Sequence, residues 1–360
     1  MPDAGALLAV LDDPGVFARH DKSGLLGRIE SLPDQCEEGW RNAQALALPE
    51  AHATVREVVV TGMGGSAIAA DMLRALAAPS ARKPVHVVRG YDLPAFVGNE
   101  SLVVACSHSG NTEETLSSFG RALDAGAMGL VVTTGGRLAE VAQERGLPLF
   151  RYAYDGEPRS ALGHQLMALL ALGERVGLLE SQAVAVREAI ALMQAQRARW
   201  GSSLASANNA AKQLAVRLYG RLAVVVSAGL LSEAAHRWKT QLNENGKCWA
   251  IWEELPELDH NTIEGFGLAE RVVPLLRAVF LYHASLGERM RRRYDATAEE
   301  LTGAGVGNET VELEGERPLA RLLGAVYLGD LVSYYLGILN GVDPSPVPGI
   351  TRLKTRLAGE

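Results

Sequence analysis

From Val58 onward the chain alternates short β-branched runs with stretches of helical period: REVVVTG, a helix through about Leu76, PVHVVRG, SLVVACS, a helix from Glu113, GLVVTTGG and LPLFRYA. Apolar runs of this kind, separated by amphipathic segments, predict a parallel sheet covered by helices. Ahead of them, residues 1–45 carry helical spacing with a proline-containing break at LPDQ (32–35) and no strand pattern. Residues 160–213 are Ala/Leu-rich and poor in β-branched runs, which predicts helices bridging two domains, broken at Gly201-Ser202-Ser203.

A second succession begins at RLAVVVSAG (221–229), continues through ERVVPLLRAVFLYH and NETVELEG, and ends in the helical PLARLLGAVYLGDLVSYYLGILNG. VVVTGMGGSAIAADML and LAVVVSAGLLSEAAHRW both pass from an apolar strand through a Gly turn into an Ala-rich helix, which suggests an internal duplication. Three prolines in VDPSPVPGITRLKTRLAGE mark an extended crossing before a short C-terminal helix or tail. The expected organisation is α/β: an N-terminal helical cap (1–45), a first domain (46–185) and a second (186–342), each a parallel sheet flanked by helices in an αβα sandwich, and a C-terminal helix or tail (343–360).

Length agrees, since 360 residues exceed one ordinary core. With 48% hydrophobic and 21% charged residues the chain falls among folded globular proteins. A net charge of −7, with no long Lys/Arg run, argues against a nucleic-acid partner; Arg291, Arg292 and Arg293 read as a solvated helix face. The segment MPDAGALLAVLDDPG lacks a basic start followed by a long apolar stretch, and no window reaches about 18 uninterrupted apolar residues, so a soluble, cytoplasmic protein without membrane attachment is expected. Cys36, Cys106 and Cys248 lie far apart in no metal-binding spacing and read as reduced, mostly buried thiols.

Candidate chemistry begins where a strand meets a helix. Thr61-Gly62-Met63-Gly64-Gly65-Ser66 follows a buried-type strand and opens a helix, so free backbone N–H groups and the Ser66 hydroxyl can face one anion. A dinucleotide would also fit such a turn, but the next strand ends in Arg89-Gly90 rather than in an acidic residue, and Asp92 comes late. The second strand-to-helix turn, Ser107-His108-Ser109-Gly110-Asn111-Thr112-Glu113, is the strongest local signal. Hydroxyls at Ser107, Ser109 and Thr112 can surround phosphate oxygens, each such bond to a charged group contributing roughly 1.5–3 kcal/mol. A plain Ser/Thr N-cap with Glu beyond it is the alternative, but it needs only one hydroxyl. A Walker lysine is missing, which disfavours a nucleoside triphosphate.

With these residues the chain resembles the SIS (sugar-isomerase) family, in which a Ser-x-Ser-Gly-x-Thr loop holds a sugar phosphate. LPDQ, GMGGSAIA, SHSGNTEET, TTGGRLAE, EPRSAL, QLNENGK, ELDHNTIEGF and RLKTRL occur in the order seen in bifunctional phosphoglucose/phosphomannose isomerases. The resemblance covers essentially the whole chain and implies two SIS domains. It implies an aldose–ketose isomerase that interconverts glucose 6-phosphate and/or mannose 6-phosphate with fructose 6-phosphate, without metal or cofactor. A non-catalytic SIS protein that binds a phosphosugar is the rival reading; it would keep the hydroxyl loop and need neither Glu244 nor His260.

The resemblance also assigns roles. Gly65, Ser66, Ser107, Ser109 and Thr112 would hold the phosphate. Moving a hydrogen between C2 and C1 needs one base that abstracts and returns a proton, and a carboxylate suits it; Glu244, where a helix runs out into the turn Asn243-Glu244-Asn245-Gly246, takes that role. Without the family pattern it would read as a solvated helix-end residue. His260 would open the sugar ring, since an imidazole can move protons near neutral pH, and no HxH or HExxH accompanies it to suggest zinc. Lys354 would assist His260. Arg159, otherwise a surface partner for Glu157 or Asp155, would face the enediolate. A homodimer is implied, with His260 crossing from the neighbouring subunit. SPVPG places Val347 where relatives can carry a hydroxyl residue near the reacting end of the sugar.

Overall fold

The computed structural model describes residues 3–267, 271–357 and 359. Met1, Pro2, residues 268–270, Ala358 and Glu360 lie outside the described residues, so the ends of the predicted cap and tail, and the start of ERVVPLLRAVFLYH, are not covered. The chain forms two compact units, one of Ser31–Gln194 with Gly315–Leu322, the other of Met1–Glu30, Ala195–Glu314 and Leu323–Glu360.

The first of these holds helix α4 (Leu32–Gln44) and then a succession of strands and helices: β1 (Glu57–Thr61), α5 (Gly64–Ala77), β2 (Val85–Val88), β3 (Ser101–Cys106), α6 (Glu113–Asp124), β4 (Met128–Thr133), α7 (Gly136–Glu144) and β5 (Leu149–Arg151), followed by α8 (Leu162–Arg175). Its five strands are parallel in the order β2-β1-β3-β4-β5. Burial explains the order. β1, β3 and β4 are apolar and buried along nearly their whole length, as strands covered on both faces must be, whereas β2 is only half-buried at the edge. Val59, Val103, Val131, Phe119 and Leu138 pack into one core beneath α6 and α7. Burying a side chain of this size contributes roughly 1.5–3 kcal/mol. The predicted break at LPDQ falls earlier, at Ser31: Pro33 sits in the first turn of α4, where its missing N–H costs no hydrogen bond.

The other unit begins with α1 (Ala4–Asp12), α2 (Pro14–His20) and α3 (Leu25–Glu30). After α9 (Ala183–Trp200), inside which the boundary between units falls, come α10 (Ala210–Leu218), β6 (Leu222–Ala228), α11 (Ser232–Glu244), β7 (Ala250–Leu255), β8 (Leu276–Tyr282), α12 (Glu288–Gly303), β9 (Gly307–Glu312), α13 (Pro318–Leu339) and α14 (Pro348–Leu357). Four parallel strands run in the order β7-β6-β8-β9. Each sheet thus places its second strand on one side of the first and its third strand on the other, which gives the suspected duplication a topological basis. β7 escaped the sequence reading because AIWEEL is an edge strand with Ile251 and Trp252 exposed, so it shows no buried run.

Two buried cations organise this unit. Lys212, 1% exposed, sends its ammonium to the carbonyls of Leu11 (2.7 Å), Ser202 (2.8 Å) and Leu204 (2.8 Å), with Asp12 at 3.3 Å, and so ties α1 to the Gly201 turn and α10. Arg237 on α11 meets Asp330 on α13 through two hydrogen bonds, Nε to Oδ1 at 3.1 Å and Nη2 to Oδ2 at 2.7 Å, both side chains being buried. On α12, exposed Arg292 pairs with Glu288, as expected of a solvated face, and half-buried Arg291 pairs with Asp295; Arg293 turns instead to half-buried Asp259. α13 is long and apolar enough to cross a membrane, yet its apolar window lies wholly inside the fold, as for a core helix.

Candidate active site

In the order β2-β1-β3-β4-β5 the chain leaves β1 toward one edge and returns on the other side, so the crevice at the C-terminal ends of β1 and β3 is the topological switch point, where open α/β sheets take ligands. Both phosphate-type turns lie there. A methyl group placed on Gly62 would stand 2.8 Å from the Cys106 carbonyl, so the turn after β1 passes directly against the end of β3.

The N-termini of α5 and α6 open onto these turns, and neither is closed by its own N-cap. Met63 has no side-chain oxygen to offer. Thr112 has extended dihedrals, φ −68° and ψ 118°, but makes no capping hydrogen bond; its Oγ1 lies 2.8 Å from Ser107 Oγ instead. The simple capping explanation of the loop therefore does not hold, and helix N-terminal amides with positive partial charge are left for an anion. The loop is held from below: Gly110 N donates to Ser107 Oγ (3.1 Å), Thr134 N and Oγ1 both donate to the His108 carbonyl (3.1 and 2.7 Å), and Leu138 N donates to the Gly110 carbonyl (3.0 Å). Ser109 is exposed, its Oγ accepting from Asn111 N at 3.2 Å.

Ser66 stands in the first turn of α5, 4% exposed. Arg159 follows β5 on a short 3₁₀ turn, Pro158–Ser160, and is also 4% exposed, so it is buried rather than on the surface. A methyl on Gly65 would lie 3.0 Å from Arg159 Cα and 3.1 Å from the Pro158 carbonyl oxygen. Gly65, Ser66, Ser107, Ser109, Thr112 and Arg159 thus belong to one unit, with Arg159 seated against the first turn.

Behind this cradle is a buried polar group that no motif singled out. Gln165 on α8, fully buried, donates through Nε2 to Ser66 Oγ (3.1 Å) and to Tyr152 OH (2.8 Å), and Tyr152 OH lies 3.2 Å from His108 Nδ1. Burial lowers the pKa of His108 below its ordinary value, against an opposing hydrogen bond to the Gly156 backbone, so the ring is neutral near pH 7. The sequence signal was a Gln beside a His in the first turn of a largely apolar helix. Cys106, which precedes the loop, is buried with its thiol pushed up to about 12, as is Cys36; Cys248 is pushed up to about 11. Thiols in that state are poor nucleophiles.

Glu244, His260 and Lys354 belong to the other unit. Glu244 is the last residue of α11, half-buried, in a turn that is fixed on all sides. Asn245, fully buried, donates to Ser333 Oγ of α13 (3.0 Å); Asn340 Nδ2 donates to the Gly246 carbonyl (2.7 Å); Asn243 Nδ2 donates to the Cys248 carbonyl (2.8 Å). Lys247 takes a left-handed φ of 54°, which costs a side-chain-bearing residue about 1–2 kcal/mol. Its ammonium donates to the carbonyls of Glu244, Pro344 (3.1 Å) and Pro346, joining the Glu244 turn to the segment that leads into α14. His260 is exposed at the end of the 3₁₀ turn Glu257–His260, and Lys354 is exposed on α14, which is a helix rather than a free tail. By contrast, the duplicated turn after β6 carries Leu230 and Leu231 where the first carries Gly64 and Gly65, while Ser232 keeps the position of Ser66.

Residues 207–357 match the family described as bacterial phospho-glucose isomerase C-terminal SIS domain, which sets the class of that part of the chain. A bifunctional phosphoglucose/phosphomannose isomerase of Caldicellulosiruptor bescii is 34% identical over 331 residues, 92% of this chain and 98% of that one. Another protein of that description, from Aquifex aeolicus, is 37% identical over 306 residues, 83% and 90% of the two chains. A hypothetical protein of Thermus thermophilus has the same fold, with TM-score 0.77, 18% identity, and coverage of 99% of this chain and 94% of the other. The chain belongs to the bifunctional phosphoglucose/phosphomannose isomerase family.

Proposed function

We propose that the protein interconverts glucose 6-phosphate and/or mannose 6-phosphate with fructose 6-phosphate through a cis-enediol, using no metal or cofactor. The observation that carries this reading is the pair of helix N-termini at the β1/β3 switch point, left without N-cap side chains, with the Thr112 hydroxyl turned to Ser107. Ser66, Ser107, Ser109 and Thr112, with the backbone at Gly65, anchor the phosphate. His260, with Lys354, opens the ring. Glu244 removes the proton from C2 and returns it to C1, and the Arg159 guanidinium stabilises the charge that develops on the enediolate oxygens. Loss of the C2 proton erases the stereocentre there, so one intermediate serves both aldoses if the pocket admits either epimer.

The working form in this reading is a cytoplasmic homodimer in which His260 of the partner subunit completes each site. Three free cysteines support a reducing compartment. The test is conversion of each aldose 6-phosphate to fructose 6-phosphate in the presence of EDTA, alongside Glu244→Gln. Turnover should fall at least about 10²-fold when the general base is lost. Phosphosugar binding without turnover would replace the isomerase by a non-catalytic SIS binding protein, and an undiminished Glu244→Gln rate would remove Glu244 from the mechanism.

A further inference from the structure

Ser66 can serve a phosphate in only one orientation. A hydroxyl has one proton to give and two lone pairs to receive with, whereas a phosphate oxygen needs a donor. The direction of the Ser66 hydroxyl is therefore decided by whatever lies behind it, and that group is Gln165, 0% exposed, with Nε2 3.1 Å from Ser66 Oγ and 2.8 Å from Tyr152 OH.

The amide has two possible settings. With nitrogen toward the hydroxyls, both N–H groups are used and only Oε1 is left without a partner among the described residues. With the amide turned over, the oxygen would accept from both hydroxyls, but two buried N–H groups would face the place where Oε1 now finds no partner. Two orphaned donors cost more than one under-used acceptor, so nitrogen faces Ser66 and Tyr152. Each hydroxyl then receives from Gln165 and has its own proton left to give. Tyr152 gives its proton to His108 Nδ1 at 3.2 Å, which requires that nitrogen to be unprotonated. Ser66 finds no acceptor for its proton among the described residues, and the proton is left for the cradle.

We propose that Gln165 is a positioning residue: its two N–H groups fix the hydrogen-bond direction of a chain running from His108 through Tyr152 to Ser66, and so hold Ser66 as a donor toward the substrate's phosphate. This rests on the phosphate cradle described above. Gln165 does not touch the sugar; it acts through Ser66. His164, next to it on α8, has an Nδ1 without a partner among the described residues and stacks on the Tyr152 ring, centroids 5.2 Å apart.

The experiment combines calorimetric titration of inorganic phosphate with steady-state kinetics for Ser66→Ala, Gln165→Leu, Gln165→Glu and the Ser66→Ala/Gln165→Leu double variant. Gln165→Leu should weaken phosphate binding and raise KM on the order of tenfold, with kcat little changed, and should add almost nothing in the Ser66→Ala background. Gln165→Glu, which when ionised can only accept, should reverse the chain and move the His108 proton to Nδ1, visible in 15N imidazole spectra. In the unmutated protein the same spectra should show His108 Nδ1 unprotonated. Additive losses, an unaffected Gln165→Leu beside a weakened Ser66→Ala, or a protonated Nδ1 in the unmutated protein would each overturn the proposal. If Ser66→Ala itself binds phosphate normally, the cradle reading fails and this inference falls with it. Should Gln165→Leu not fold, the spectrum of the unmutated protein still decides.

Discussion

Gly65 and Arg159 touch backbone to backbone: a side-chain carbon at Gly65 would come within 3.0 Å of Arg159 Cα. The first turn of α5 and the loop after β5 are therefore fixed against each other by the absence of one methyl group. Gly65→Ala should push Arg159 away from the turn. A misplacement of about 1 Å costs up to about 10²-fold in rate, so kcat should fall at least about tenfold while the thermal midpoint moves by only a few degrees. Steady-state kinetics and a melting curve on the same sample separate this from unfolding.

Lys247 is held at a φ of 54° by its ammonium's bonds to the carbonyls of Glu244, Pro344 and Pro346. In Lys247→Met the strained backbone remains and those bonds are lost. Faster amide hydrogen exchange is expected in residues 343–357 and at the Glu244 turn, with exchange in β6 and β8 unchanged. Equal protection of these segments in both proteins would show that the clamp is idle.

Arg237 and Asp330 form a buried two-point ion pair that seats α11, the helix that ends in Glu244, against α13. Removing one partner takes away both hydrogen bonds of the pair from a buried charge. Asp330→Ala should destabilise the protein by about 3–5 kcal/mol in urea denaturation. Replacing both residues with apolar ones of similar volume should cost much less, because no uncompensated charge remains.

Stability should depend on pH through two histidines. Burial lowers the pKa of both His108 and His164 from 6.5. His108 is faced by Tyr152, Tyr154 and His164, and His164 by the same two tyrosines and the charge of Glu38. In the folded protein both rings stay neutral below pH 6.5, where the unfolded chain takes up protons. The stability present above that pH is therefore lost as pH falls toward the folded-state values. Thermal midpoints should drop between about pH 7 and pH 5, more steeply than in a His108→Gln/His164→Gln variant.

Much of this was legible in one dimension. The inner strands β1, β3 and β4 showed as apolar runs because both of their faces are buried, and the phosphate loop showed as a contiguous cluster of hydroxyls. β7 stayed hidden because an edge strand with exposed Ile251 and Trp252 lacks that signature. Thr112 read as a phosphate ligand, with an N-cap as the alternative; its actual partner, Ser107 Oγ, set the cap aside. Lys247 falls within QLNENGK, but its tie to Pro344 and Pro346 carried no signal, since those two partners lie nearly a hundred residues onward.

The amino-acid order alone settled which segments become buried strands, where glycines let a strand turn into a helix, and which family pattern the chain follows, because periodicity, turn chemistry and motif spacing are local properties. Tertiary structure decided the rest: that Gln165, 99 residues from Ser66, stands behind its hydroxyl, that Arg159 is buried against Gly65, and that the Glu244 turn is bound to the C-terminal segment. Hydrogen-bond direction and close approach depend on which distant atoms share a small volume, and no spacing along the chain encodes that.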